Sequence, residues 1–235
     1  MNIDDTQLRF SGAPWFPFMQ TLTVTIGGLG GIGSNAADAI ACLGVKTMVL
    51  IDPQLVEAVN LAGQNFTMND VGQNKVVATA NRINLIAPNV SVVANPVLIT
   101  DKTLLSRITF CCFDNMEARR VACTNWYKRN KGNPKSLLVD GRVGPETLQV
   151  FAFRGCDTAS VEQYFKEGLF SSEEAEQTVC SYKQTRYLTQ MIGSFMADTL
   201  VAYVMKTNVS KYIQIPYYRE YDSPSQHYVW KPQPK

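Results

Sequence analysis

A chain of 235 residues with 46% apolar and 18% charged side chains can bury a sizeable core, which excludes a disordered chain and suits one α/β domain. The formal net charge of +2 and a pI near 8.2 leave no basic footprint for nucleic acid. No apolar run is expected to reach the roughly 18 residues of a membrane span, and the start, MNIDDTQLRF, is acidic and polar rather than signal-like. The expectation is a soluble, cytoplasmic protein with neither nucleic-acid nor membrane partners.

In chain order, TLTVTI predicts a strand over 21–26, followed by a helix over 32–43 and a second strand, TMVLI, over 47–51 that ends at Asp52. A polar stretch, 53–71, precedes a helix over about 72–87, and SVVANPVL reads as a strand. ITFCCF is another strand, ending at Asp114 and feeding a helix over 116–131; SLLVD is a strand ending at Asp140. Apolar strands joined by helical crossovers predict a Rossmann-like, mostly parallel sheet with helices on both faces. Beyond Gly144, TLQVFAF predicts an added antiparallel strand, 167–187 a long polar surface connection, 188–206 an apolar-faced helix, and the aromatic tail one or two strands. Together these make one domain over 1–235, with a nucleotide-binding core at about 20–155, the connection at about 167–187 and the last helix and strands over 188–235.

Six cysteines occur and none forms a C-x-x-C pair, so no zinc site is expected. Cys42, Cys111 and Cys112 lie in apolar runs and read as small buried hydrophobes. His227, the lone histidine, is left as structural.

The chemistry begins at GGLGGIGS. Gly28, Gly30 and Gly33, with Gly31 between them, form G-x-G-x-x-G between a strand and a helix, the arrangement that cradles phosphates on a helix N-terminus. Asp52, 19 positions after Gly33, suits ribose hydroxyls. This pair serves NAD and ATP alike. Lys75 at a helix start, and Asp114 and Arg119 in CFDNMEARR, add charges that a triphosphate with Mg2+ needs and a dinucleotide does not, with the polar amides Asn60 and Gln64 in NLAGQ and Asn115 beside Asp114. Each has a bland reading beside it: Asp52 as a loop carboxylate, Lys75 as a solvated helix residue, Asp114–Asn115 as a helix cap.

In their order GLGGIGS, Asp52, NLAGQ, Lys75 and CFDNMEARR resemble the ThiF-like adenylyltransferases that activate ubiquitin and sulfur-carrier proteins, over about residues 20–155. Three positions depart from that pattern: Gly63 stands where the family's N-L-x-R-Q arginine falls, Gln54 replaces an aspartate, and Cys111 replaces the first aspartate of D-x-x-D-N. The resemblance implies ATP- and Mg2+-dependent adenylation of the C-terminal glycine of a ubiquitin-like or sulfur-carrier protein by a homodimer. Asp114 would hold Mg2+, while Lys75 and Arg119, or Asn60 and Gln64, would contact phosphates. Arg9, the only arginine before the glycine loop, would reach the neighbouring subunit's ATP. Cys180, in the polar connection, is the candidate thioester nucleophile, or a plain loop cysteine. Three rivals stand beside this reading: an NAD(P)-dependent oxidoreductase, a nucleotide-binding scaffold that has lost catalysis, and an RNA-modifying relative such as the tRNA threonylcarbamoyladenosine dehydratases, which the near-neutral charge fits less well.

Overall fold

Short aliphatic runs punctuated by glycine and aspartate become eight strands of one sheet: β1 (Thr23–Gly27), β2 (Thr47–Ile51), β3 (Ser91–Asn95), β4 (Ile108–Cys111), β5 (Leu137–Val143), β6 (Thr147–Phe153), β7 (Tyr218–Asp222) and β8 (His227–Lys231). The helices are α1 (Phe16–Met19), α2 (Gly31–Cys42), α3 (Lys75–Ile86), α4 (Met116–Asn130), α5 (Thr158–Gln163) and α6 (Arg186–Asn208). This computed structural model describes residues 5–169 and 184–234.

Strand order is β3-β2-β1-β4-β5-β6-β7-β8. Pairing is parallel from β3 to β5 and antiparallel from β5 to β8, as TLQVFAF and the aromatic tail predict. Gly27 registers with Ile51 on one side and Cys111 on the other, and Cys111 with Asp140. The carboxyl ends of β1, β2 and β4 therefore finish level, while β5, expected to end at Asp140, runs on to Val143 because it stays paired with β6. The strand order switches sides between β1 and β4. That switch point is where open α/β sheets take ligands.

The period-2 alternation of side chains splits the core into two layers. Val24, Ile26, Met48, Leu50, Phe110 and Val139 face α2, α3 and α6; Cys111, Leu138 and Phe153 face Trp126 of α4, Val161 of α5 and Tyr164. In length and composition α6 would suit a membrane span, contrary to the sequence expectation. It is instead a core helix. Leu188, Ile192, Met196, Leu200 and Val204 are buried against the sheet and α2, each worth roughly 1.5–3 kcal/mol over exposure.

Several local expectations shift. Helix α3 starts at Lys75 because Gly72 has φ +87° and Asn74 caps the helix, its side chain accepting from Val76 N at 3.1 Å. Residues 158–168 form α5 and a wide helical turn that short, mixed TASVEQYFKEG does not announce. The start of the expected surface connection is buried at Leu169, while its residues 170–183, Cys180 among them, lie outside the described residues. Cys42 is exposed rather than buried, because the last turn of α2 presents it to solvent; Cys111 and Cys112 are buried as expected.

Candidate active site

The glycine loop is wedged between the ends of β2 and β4. Gly28 N donates to Ile51 O at 2.9 Å and Cys112 N to Gly27 O at 2.8 Å. Gly28 has φ +83°, and a side chain there would strike the Cys112 carbonyl at 2.8 Å. Gly33 cannot carry a Cβ either, since one would run into Gly28 O. Gly30 caps α2 without a side-chain bond and has open space above it. The first-turn N–H groups of α2 thus point at a cradle with room for an anion.

Asp52 stands at the root of this loop. Buried, it accepts from Leu29 N at 2.6 Å through Oδ2 and from Gln54 N at 2.8 Å through Oδ1. It therefore staples β2 to the loop and keeps lone pairs able to accept further donors. Lys75 is buried beside it, with Nζ donating to Gln54 Oε1 at 2.8 Å. Position 54 is an amide and not a carboxylate, so among the described residues Lys75 has a neutral hydrogen-bond partner and no ion pair.

Across the switch point, Asp114 is exposed just past β4, one residue after Phe113, whose ring covers Gly27. Asn115 caps α4, accepting from Ala118 N at 2.8 Å, and donates to Asp114 Oδ1 at 3.2 Å. No group of three or more potential metal ligands occurs among the described residues. One carboxylate beside a phosphate cradle still fits Mg2+, which is commonly held by one or two carboxylates with substrate phosphates and water. Asn60 builds the turn before Gln64, accepting from Glu57 N at 2.9 Å through its side chain and from Gln64 N at 2.9 Å through its carbonyl. Gln64 is buried with its Oε1 unpartnered among the described residues. A buried acceptor without a donor is costly unless something fills it.

Arg119 lies elsewhere than expected. Its guanidinium is buried, donating to Asp140 Oδ1, to Phe113 O and to Gly141 O. Arg142 and Tyr164 OH share the other Asp140 oxygen at 2.9 and 2.8 Å. Burial lowers the Arg119 pKa, but the Asp140 carboxylate and other neighbours raise it beyond the ordinary arginine value. Burial, then the Asp140 charge, hold the Tyr164 hydroxyl well above its usual range. Arg119 fixes the Phe113–Asp114 turn from beneath instead of offering a charge to phosphate. Arg9 lies on the exposed side of a 3-10 helix, Asp5–Phe10, whose Gln7 packs against Gly44 beyond the far end of α2.

The sequence reading did not single out the opening of α6. Thr189 Oγ1 donates to Gly63 O at 2.9 Å, Arg186 reaches Leu61 O and Asn65 Oδ1 at 3.2 Å each, and Gln184 covers Gly31 and Gly63. The signal was a cluster of polar residues, QTR, opening an otherwise apolar helix.

The model of the ThiF family matches residues 8–234. Curated relatives include "Ubiquitin-like modifier-activating enzyme 5" of Aedes aegypti, 32% identical over 45% of this chain and 33% of that protein, and its counterpart in Drosophila pseudoobscura pseudoobscura, also 32% identical over the same shares. The chain spans about a third of the length of these relatives. Among solved structures, E. coli MccB with ATP superposes with a TM-score of 0.76 at 16% identity, over 99% of this chain and 73% of that one. PaaA superposes at 0.69 and 16% identity, over 94% and 67%. These distant structural likenesses support the Rossmann-like fold read from the strands.

Proposed function

The chain belongs to the ThiF family, and from that premise we propose that it adenylates the C-terminal carboxylate of a ubiquitin-like, sulfur-carrier or peptide substrate with ATP and Mg2+. The observation that carries this reading is the convergence at the carboxyl end of the parallel strands of the glycine cradle, Asp52, Lys75 and the exposed Asp114. The relatives' names support the same reading: the insect proteins are ubiquitin-like modifier-activating enzymes, and one MccB structure holds N-formylated MccA.

In the reaction a substrate carboxylate oxygen attacks the α-phosphorus of ATP. The bond to the α–β bridging oxygen breaks, pyrophosphate leaves with the electron pair, and an acyl adenylate remains. The α2 N-terminus holds phosphate oxygens, Lys75 offsets developing charge, and Asp52 receives ribose hydroxyls. Asp114 would hold Mg2+, which when bound supplies charge neutralisation at the phosphates. Burial pushes the thiols of Cys111 and Cys112 up, so neither is a nucleophile. A thioester stage would belong to Cys180.

ATP–pyrophosphate exchange with small proteins or peptides ending in glycine tests the reading. Exchange should appear with the true substrate and vanish in Asp114→Ala while unfolding stays cooperative. Stabilisation by NAD with none by ATP would overturn it. A reductant-sensitive substrate adduct, lost in Cys180→Ala while exchange persists, would extend the pathway to a thioester.

A further inference from the structure

We propose that Arg186, at the start of α6, is the cation that grips the outer phosphates of the bound nucleotide, serving the position that Gly63 leaves without a side chain; this rests on the adenylation reading above. The observations are independent of that reading. Among the described residues, the arginines near the cradle other than Arg186 are already matched with carboxylates: Arg119 with Asp140 and Arg82 with Asp38. Arg186 instead donates to two neutral oxygens, Leu61 O and Asn65 Oδ1, both at 3.2 Å. A phosphate is the stronger partner, since charge-assisted hydrogen bonds are roughly twice as strong as neutral ones.

Its location ties it to the cradle. Asn65 N donates to Ser34 Oγ at 2.9 Å, and Ser34 Oγ to Gly30 O at 2.7 Å, so the guanidinium lies only three hydrogen bonds from the N-cap of α2. The space above Gly63 is held by Gln184, whose side chain would sit 3.3 Å from a Cβ there and which also overlies Gly31. Gln64, next in sequence, keeps a buried Oε1 with no partner among the described residues. Asp52 binds the loop at its start, through Leu29, whereas Arg186 stands past its end beside Asn65. A nucleotide laid along the loop from its ribose outward meets Arg186 with its later phosphates. Arg186 is exposed, so its removal leaves no buried vacancy.

The test is calorimetric titration of the full chain and of Arg186→Gln with Mg-ATP and with AMP. Loss of one charged phosphate contact should weaken ATP binding about ten- to a hundredfold while AMP affinity changes by less than about twofold. Equal ATP affinity in both proteins would overturn the assignment, as would parallel losses for ATP and AMP, which would mark Arg186 as a prop for the 61–65 turn. If the unaltered chain binds no ATP, the adenylation reading itself falls, and this assignment with it.

Discussion

Asp140, inside β5, and Asp52, one residue past the end of β2, lie near the same end of the sheet and do different work. Asp140 is wholly buried and holds two guanidinium groups and a phenol. Asp140→Asn would strand Arg119 and Arg142 with a weaker partner in the core, and breaking such a pair commonly costs about 3–5 kcal/mol. Denaturant unfolding should show that loss; a variant as stable as the parent would remove the network from the structural account and reopen Arg119 as a phosphate ligand. Sequence makes both aspartates visible as strand punctuation but does not say which is filled from within. Arg119, four positions after the cap residue Asn115, looked free to face the ligand because a helix pattern gives a direction and not a partner. Its partner comes from β5, 21 residues on.

At the scale of elements, the glycine loop separates conformational need from simple space. Gly30 has open room and an ordinary negative φ of −74°, so Gly30→Ala should fold like the parent and test only ligand access. Gly33→Ala places a methyl group into Gly28 O, a backbone atom that cannot swing aside, and should destabilise by at least the roughly 1–3 kcal/mol typical of overpacking. Comparing the two melting temperatures checks this; equal values would mean that the β1–α2 turn relaxes freely. Strands and long helices were legible because their apolar periods are strong: β2 falls on 47–51 as read, and α4 ends within one residue. The six-residue α5 and the turn after it carry too few apolar positions to show a period. Their burial is set by aromatic contacts between Tyr164, Phe151 and Phe153, which are long-range.

For the whole molecule, the sheet order explains why scattered motifs meet. Gly28, Asp52 and Asp114 are tens of residues apart in the chain, yet parallel pairing brings the ends of β1, β2 and β4 level. A pattern of strands running into glycine or aspartate made that end of the sheet legible as a site. The role of α6 was not, because its opening reaches the loop only through the crossing of α6 over α2, where Gly193 lies against the backbone of Asn35 and Ala36.

The same arrangement bears on Arg9. The helix α2 runs 12 residues, about 18 Å, from the glycine cradle to its far end, and Gln7 packs just beyond that end at Gly44. Arg9, two residues from Gln7 and exposed, is therefore placed away from its own chain's phosphates and suited to another copy's. In the homodimer we propose, each site combines Asp114 from one subunit with Arg9 from its partner. Arg9→Ala and Asp114→Ala proteins should then each be inactive alone. Mixed and allowed to exchange subunits, they should recover about a quarter of the parental exchange rate, because half the dimers are mixed and each carries one intact site. Confirmed subunit exchange with no recovered activity would place Arg9 outside the active site of either copy.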